Sequence, residues 1–455
     1  MKVDVRLKFE KGTLQIHGDV RVPNSHWDAR SGAYRALAFY YSDITAYLKR
    51  SGIHYEDQAL DLLPVPRLQF HASLRDYQKD ALDAWMRSGN RGTVVLPTGA
   101  GKTIVAVGAI GTLQTPCLVV VPTLDLVDQW RRVLTAEFAI EVGTYGGGES
   151  VLKPLTVSTY DSAYLRAAEL GNRFGLIVFD EVHHLPAPGY RHIAEMSLAA
   201  ARLGLTATYE REDGLHSELN RLVGGKVYEL TVHDLAEEYL SGYEVEHLFV
   251  ELTPDEAEEY ARTYAAFTDY LARHNVPLRT QRDFSRFIMR SAWDSEARKA
   301  LLARNRALDV ALNSQAKIDA LKKLLLDRPG DQTIIFTQHN KLVYRIARTF
   351  LIPAITHSTS KGERRQILDN FRTGAYRLIV TSKVLDEGVD VPDATQAIIL
   401  SGTGSAREFI QRLGRVLRKR QGKHARLTEI VTRNTAETRL SHRRKRKWRD
   451  VENAP

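Results

Sequence analysis

The sequence predicts an α/β protein: two lobes built on parallel sheets, preceded by a small α/β domain and interrupted by a helical insertion. Three observations point there. Short, wholly apolar runs alternate with helical stretches, first as TVVLP, CLVVVP, LTVST, LIVFD and LGLTAT, and later as TIIFTQ, RLIVTS, AIILS and LTEIVT. Runs this short, apolar throughout and rich in Val and Ile, suit buried parallel strands with crossover helices between them. Ahead of them VDVRLKFEKGTLQIHGDVRV alternates like strands around a Lys-Gly turn, and between the two series lies a stretch with helical signals and no strand-like run.

In chain order, residues 1–70 form the small domain, in which Tyr34, Leu37, Tyr41, Ile44 and Leu48 recur at helical spacing. LLPVPRLQF, with two prolines, closes it as a linker. The first lobe spans residues 71–235 and the helical insertion residues 236–312. Thr253, Pro254 and Glu256 form a capping-box start, the hydroxyl accepting from the first turn while the carboxylate reaches back. The second lobe spans residues 313–440, and residues 441–455 are a basic tail containing RRKRKWR.

Composition narrows the function classes. Apolar residues make up 43% and charged residues 26% of 455, the balance of an ordinary globular chain long enough for several cores. No apolar stretch approaches bilayer length and the N-terminus lacks a signal-peptide core, so a cytoplasmic protein without membrane contact is expected, nucleoid-associated in a prokaryote. The single cysteine, Cys117, forbids an intrachain disulfide and a thiolate metal cluster. Residues 401–455 carry 16 Lys and Arg against 5 Asp and Glu, more than the whole-chain net charge of +9, so the remainder is slightly acidic. A polyanionic partner must therefore be recognised by local surfaces.

The chemistry begins with LPTGAGKT, residues 96–103, which ends a strand and opens a helix. Thr98, Gly99, Ala100 and Gly101 can wrap backbone N–H groups around phosphate oxygens, Lys102 can bridge the outer phosphates, and the Thr103 hydroxyl can reach Mg²⁺. Leu96 stands where the strict phosphate-loop pattern has glycine, and a structural glycine turn is the bland alternative. GLIVFDEVHH places Asp180 at a strand's carboxyl end, where a metal-holding carboxylate belongs, with Glu181 beside it to deprotonate water. A zinc site is disfavoured because His183 and His184 are adjacent and expected to point apart, not one helical turn apart. In QRLGRVLRK, Arg412, Arg415 and Arg418 share a helical face, consistent with a solvated basic helix or with arginine fingers worth about 10³–10⁵ in rate.

The ordered series LRDYQKDAL, LPTGAGKT, VVVPTLDLVDQW, VSTYDSA, DEVHH, GLTATYERED, IIFTQHN, TSKVLDEGVDVP and QRLGRVLRK resembles that of superfamily-two helicases, most closely the XPB family in its short archaeal form. The resemblance implies two RecA-like lobes and an ATP- and Mg²⁺-dependent DNA translocase or helicase of nucleotide excision repair, moving 3′ to 5′. It implies that Arg75 and Gln78 read adenine, that Gly388 and Asp390 line the cleft near the ribose, and that Gln411, Arg415 and Arg418 complete the nucleotide site. It also implies that His183 couples the nucleotide site to the second lobe, that residues 1–70 recognise damage, and that the insertion is a thumb gripping DNA. Arg211, Glu212 and Asp213 would separate strands, and a structure-specific nuclease would be a partner.

DNA contact also has a direct physical argument. The strand ends VPTLD, STYDS and VTSKV offer hydroxyls and N–H groups suited to phosphates, contacts that position without reading sequence and weaken with salt. The tail either adds phosphate contacts or is a solvated run. Two other readings are the motor subunit of a restriction system, against which the missing nuclease constellation and the RED triplet count, and a damage-binding scaffold with a vestigial motor.

Overall fold

The structure, a computed structural model, describes residues 4–211, 213–235, 243–328, 330–382, 394–401, 425–438 and 441. The described residues divide into two compact units, one running to residue 235 and the other starting at residue 243.

The first unit opens with a five-stranded sheet: β1 Val5–Glu10, β2 Thr13–His17, β3 His26–Asp28, β4 Ala33–Leu37 and β5 Tyr55–Gln58, in the order β3-β4-β2-β1-β5. Lys11 and Gly12 both take positive φ, 46° and 84°, which gives the tight hairpin turn that a Lys-Gly pair between alternating runs predicts. Val5, Leu7, Leu14 and Ile16 bury their face against Ile44 and Leu48 of the helix Tyr41–Arg50. The helix starts later than the spacing predicts. Tyr34 and Leu37 belong to β4 and pair with Ile16 and Thr13 of β2. Three apart, they match the helical period but fall on opposite faces of a strand, and the backbone groups on the open edge of β2 decide for the strand.

Eight strands form the main sheet of this unit: β6 Arg91–Val95, β7 Cys117–Val121, β8 Gly143–Gly146, β9 Glu149–Val151, β10 Leu155–Thr159, β11 Leu176–Asp180, β12 Ala201–Thr206 and β13 Lys226–Glu229. Their order is β13-β6-β12-β11-β7-β10-β8-β9, parallel throughout except at the β8–β9 hairpin. The five apolar runs read from the sequence coincide with β6, β7, β10, β11 and β12. The edge strands β9 and β13, and β8 next to β9, are too short and too mixed in composition to announce themselves. Cys117 lies buried in β7, where desolvation pushes its thiol pKa up.

The small domain docks on this sheet through Phe39. Its ring lies 4.7 Å from the guanidinium carbon of Arg202, 5.4 Å from that of Arg91 and 5.5 Å from that of Arg221. Arg202 is fully buried, and its guanidinium donates to the carbonyls of Ala199, Leu222 and Ser197 at 3.1, 2.8 and 3.1 Å. Burial, with Arg91 and Arg221 close by, pulls its pKa down to about 9. The aromatic face thus offsets the cost of keeping this cation dry.

The second unit carries β14 Tyr243–Val250, β15 Thr333–Phe336, β16 Ala354–Ile355, β17 Leu378–Thr381, β18 Gln396–Ile399 and β19 Ala425–Thr432, all parallel, in the order β14-β19-β18-β15-β17-β16. Helices Pro254–Arg273, Gln281–Arg290 and Ser295–Leu312 follow β14, and the first has the capping box its sequence specifies, with Thr253 Oγ1 accepting from Glu256 N and Glu256 Oε2 accepting from Thr253 N. The segment read as insertion from residue 236 therefore contains an eight-residue strand before its helices. β14 pairs with β19 along its whole length, a long-range partnership invisible in local periodicity.

Replacing Phe39 by Ala is expected to destabilise the docked domain by about 3 kcal/mol, whereas Phe39→Leu, which keeps most of the apolar volume, should lose only about 1 kcal/mol. Denaturant titration followed by near-ultraviolet circular dichroism distinguishes the two; equal losses would mean the ring face contributes nothing.

Candidate functional site

The carboxyl ends of β6 and β11 lie on the same edge of the first unit's sheet, with β12 between them. β6 runs into the loop 96–101. Gly99 and Gly101 take φ of +87° and +79°, and Gly101 caps the helix Lys102–Leu113, leaving that helix start free of a Cβ. A Cβ on Gly101 would sit 2.5 Å from Gln78 Nε2. Lys102 Nζ folds onto the loop, donating to the Leu96 and Pro97 carbonyls at 3.1 and 3.4 Å, and Thr103 is half-buried in the first helical turn.

The helix Asp76–Arg87 holds this loop. Arg75 is its N-cap, and Arg75 N donates to Gln78 Oε1 at 2.9 Å in a capping box. The buried Gln78 Nε2 donates to the Ala100 carbonyl at 2.9 Å, and Tyr77 Oη donates to the same carbonyl at 2.8 Å. Arg75 Nη1 donates in turn to Tyr77 Oη at 3.2 Å. Both ends of the Gln78 amide thus engage protein backbone, which ties this side chain to the loop's shape. Tyr77 escaped the sequence reading although it adjoins Gln78 in LRDYQKDAL, because nothing local distinguishes a loop-holding tyrosine from a core one.

β11 is apolar until its last residue. Asp180 is buried, and desolvation raises its pKa, opposed by hydrogen bonds from Trp130 and Glu181 N and by the charge of Lys102. Trp130 Nε1 donates to Oδ2 at 2.8 Å, Glu181 N to Oδ1 at 3.0 Å, and Tyr160 Oη to the Asp180 carbonyl at 3.0 Å. Trp130 and Tyr160 lie inside quoted motifs, yet neither was assigned a role. Glu181 has φ 48° and ψ 53°, a left-handed conformation that a non-glycine residue adopts at a cost and that clusters at functional sites.

The structure corrects one detail of the histidine pair. The short helical turn Val182–His184 brings the rings together, with centroids 4.3 Å apart, instead of pointing them apart. His183 is wholly buried, its Nδ1 3.1 Å from Thr206 Oγ1 at the end of β12 and 3.4 Å from Glu181 Oε2. Among the described residues no three His, Cys, Asp or Glu side chains gather around a metal position. Thr103 and Asp180 both offer oxygen donors, the type that an oxygen-loving cation takes.

Arg211 grips Asp213 with a two-pronged ion pair, Nε to Oδ1 at 2.9 Å and Nη2 to Oδ2 at 2.6 Å, and its Nη1 donates to the His183 carbonyl. Arg211 therefore links its loop to the DEVHH turn. The Arg211 hydrogen bonds hold the Asp213 carboxyl down at about pKa 2. Glu212, Gly388, Asp390, Gln411, Arg412, Arg415 and Arg418 lie outside the described residues, as do residues 442–455 of the tail. Two of the strand-end threonines are helix caps, Thr123 Oγ1 accepting from Leu126 N at 3.3 Å and Thr159 Oγ1 from Ser162 N at 3.2 Å, while Thr381 Oγ1 donates to the Ser382 carbonyl at 2.9 Å.

Residues 7–59 match the family described as the Xeroderma pigmentosum group B helicase damage recognition domain, residues 71–211 the type III restriction enzyme res subunit, and residues 316–420 the helicase conserved C-terminal domain. The chain is 46% identical over 441 residues to the DNA 3′-5′ translocase XPB2 of Sulfurisphaera tokodaii, covering 97% of this chain and 100% of that protein. It is 31% identical to the DNA 3′-5′ helicase XPB of Mycobacterium tuberculosis, over 84% of this chain and 65% of that one, and 28% identical to the general transcription and DNA repair factor IIH helicase/translocase subunit XPB/SSL2 of Saccharomyces cerevisiae, spanning 46% of its length. The Pyrococcus furiosus Hef helicase domain shares the fold, with a TM-score of 0.52 at 19% identity, over 81% of this chain and 97% of that one. The restriction-enzyme match covers only the first lobe, while the match to a translocase runs from end to end.

Gly101→Ala is expected to lower affinity for a non-hydrolysable ATP analogue by about tenfold or more, since the left-handed backbone alone costs about 1–2 kcal/mol with a Cβ present. Calorimetric titration measures it, and unchanged affinity would remove the loop from the site. Arg211→Ala should return the Asp213 carboxyl towards its ordinary value of 3.8. The Asp213 contribution to stability, present above about pH 4 and lost as pH falls towards 2, would disappear with it. Carboxyl-carbon NMR titration reads the shift, and an unmoved Asp213 would deny the pairing.

Proposed function

Because this chain belongs to the XPB family of DNA helicases and translocases, we propose that it hydrolyses ATP to translocate on and open DNA, with 3′-to-5′ polarity, in nucleotide excision repair. The observation that carries this reading is the meeting, on one sheet edge, of the glycine-turned loop ending in Lys102 with the buried carboxylate of Asp180 and the left-handed Glu181.

The residues divide the work by their chemistry. Backbone N–H groups of residues 98–103 at the start of the helix Lys102–Leu113 bind the phosphates, and Lys102 leaves its loop carbonyls to neutralise the outermost ones. Thr103 and Asp180 hold Mg²⁺, which when bound neutralises charge developing on the phosphate oxygens. Glu181, next to that carboxylate and at a strained backbone position, orients water and accepts its proton. Arg75 and Gln78 select adenine, and His183, wedged between Glu181 and Thr206, carries the state of the site towards the second lobe. In that lobe Gly388, Asp390, Gln411, Arg415 and Arg418 are assigned to the nucleotide by resemblance, the arginines to the transferring phosphoryl group.

DNA is the polyanion. Strand-end segments at Thr123, Thr159 and Thr381 contact phosphates, residues 1–70 recognise distorted duplex, the insertion of residues 236–312 grips it, and Arg211, Glu212 and Asp213 part the strands. A structure-specific nuclease acts on the opened product.

Phosphate release assayed with no DNA, duplex and forked DNA tests the reading. Turnover is expected to rise with DNA and to fall by about 10²–10⁴ in Glu181→Gln with nucleotide affinity retained. DNA binding without any stimulation of turnover would favour the scaffold reading instead. Full activity in Glu181→Gln would take the base assignment away.

A further inference from the structure

A dry ion pair in the second unit has no part in the assigned chemistry. Lys317, on the helix Gln315–Asp327, and Glu437, just beyond β19, are both buried. Lys317 Nζ donates to Glu437 Oε1 at 2.6 Å and to the Leu400 carbonyl, just past β18, at 2.5 Å. The other carboxylate oxygen, Glu437 Oε2, accepts from Thr432 N at 2.9 Å. The pair thus sets the shape of the turn 432–437, in which Asn434 takes a left-handed φ of 55°. Stability alone is a poor reason for such a pair, because stripping two charges of water costs about what their attraction returns, and an apolar pair of equal volume often does as well. What the pair imposes is geometry, since neither charge can leave the other inside a dry site.

The turn it shapes is bonded to both places where the three inserted helices join the sheet. The chain passes from β14 into the helix Pro254–Arg273, and returns from the helix Ser295–Leu312 into Gln315–Asp327. At the first crossing Arg433 N donates to the Val250 carbonyl at 2.8 Å, and at the second Thr432 Oγ1 donates to the Ala311 carbonyl at 2.8 Å. Two chain crossings alone leave a hinge. A third link restrains it, Ala436 N donating to Tyr260 Oη at 2.7 Å further along the first helix. Glu256 binds the crossings to each other, because its Oε2 completes the capping box at Thr253 while its Oε1 accepts from Gln315 N at 2.7 Å.

We propose that Lys317 and Glu437 are positioning residues that hold the turn 432–437 as a brace, so that the inserted helices and the sheet of the second lobe move as one rigid body. The proposal rests on the reading that the insertion grips DNA, and it adds why a force on the sheet reaches the DNA without slack. The ion pair fixes the turn, the turn fixes both crossings, and the long helices carry the displacement outward.

The test uses the full-length chain carrying Lys317→Met together with Glu437→Leu, a pair of similar volume without charge. Spin labels are placed through Arg279→Cys on the insertion and Arg365→Cys on the lobe, both positions being exposed, while the native Cys117 is buried. Pulsed electron-spin distance measurement is expected to give one narrow distribution in the otherwise wild-type chain and a broad one in the double charge replacement. On forked DNA, the base pairs opened per ATP hydrolysed should fall by about two- to thirtyfold, with DNA-stimulated turnover itself retained. Thr432→Val with Tyr260→Phe removes two of the links and keeps the ion pair; it should broaden the distribution as well, and serves if the charge replacement folds poorly. A broad distribution in the otherwise wild-type chain, or one equally narrow in both double variants, overturns the brace whatever the protein does to DNA. A broadened distribution with opening per ATP unchanged would uphold the brace and overturn the grip reading beneath it.

Discussion

A charge must be kept at the end of a strand that is otherwise built to exclude water. Leu176 to Phe179 are buried on both faces of a parallel sheet, and the next residue, Asp180, is still buried. Desolvation opposes its ionised form, so the carboxylate can be retained only where donors and positive charge converge on it. The indole of Trp130, the amide of Glu181 and the ammonium of Lys102 do this, and each comes from a different segment. The architecture of the first lobe is largely the means of bringing those segments to one place. The parallel order sends the carboxyl ends of β6, β7, β10, β11 and β12 to a single edge, and each end turns into a loop or helix that contributes a polar group.

The same constraint accounts for the backbone around the site. Gly99 and Gly101 take left-handed conformations that the absence of a Cβ makes inexpensive, whereas Glu181 takes one in spite of its side chain. The first is a steric provision and the second is stored strain. The tight hydrogen bonding around Asp180 and the Gln78–Ala100–Tyr77 cluster holds both in place. The small domain is secured by a different solution to a buried charge: Arg202 is satisfied by three carbonyls and an aromatic face, with the charge of Asp43 assisting.

Much of the fold was legible because burial on both faces leaves a compositional mark. LTVST and LIVFD coincide with β10 and β11 residue for residue, since a strand that must be apolar throughout has few alternatives. The edge strands β9 and β13 and the neighbouring β8 bear no such mark, and β14 is defined by pairing with β19, almost two hundred residues later. The Tyr34–Leu48 pattern misled for a related reason, because a strand and a helix placed end to end imitate one longer period. In the site, the loop and the Asp180–Glu181 pair were visible as motifs, whereas Tyr77, Trp130 and Tyr160 were not. Their function is a contact with a distant segment, and an aromatic residue in a buried helix has the same local signature whether or not its polar atom has a task.

The sequence by itself determined the chemistry available: a glycine-rich turn ahead of Lys102 and Thr103, a carboxylate pair after an apolar strand, and an order of motifs that marks the family. These are properties of residue type and spacing, which the chain carries before it folds. Only the tertiary structure decided how the carboxylate is oriented, which helices hold it, that Arg211 reaches the His183 carbonyl, and that the two histidine rings lie together. Those are distances between segments tens of residues apart, and they are set by packing and by the need to satisfy buried polar atoms, neither of which a local stretch of sequence can specify.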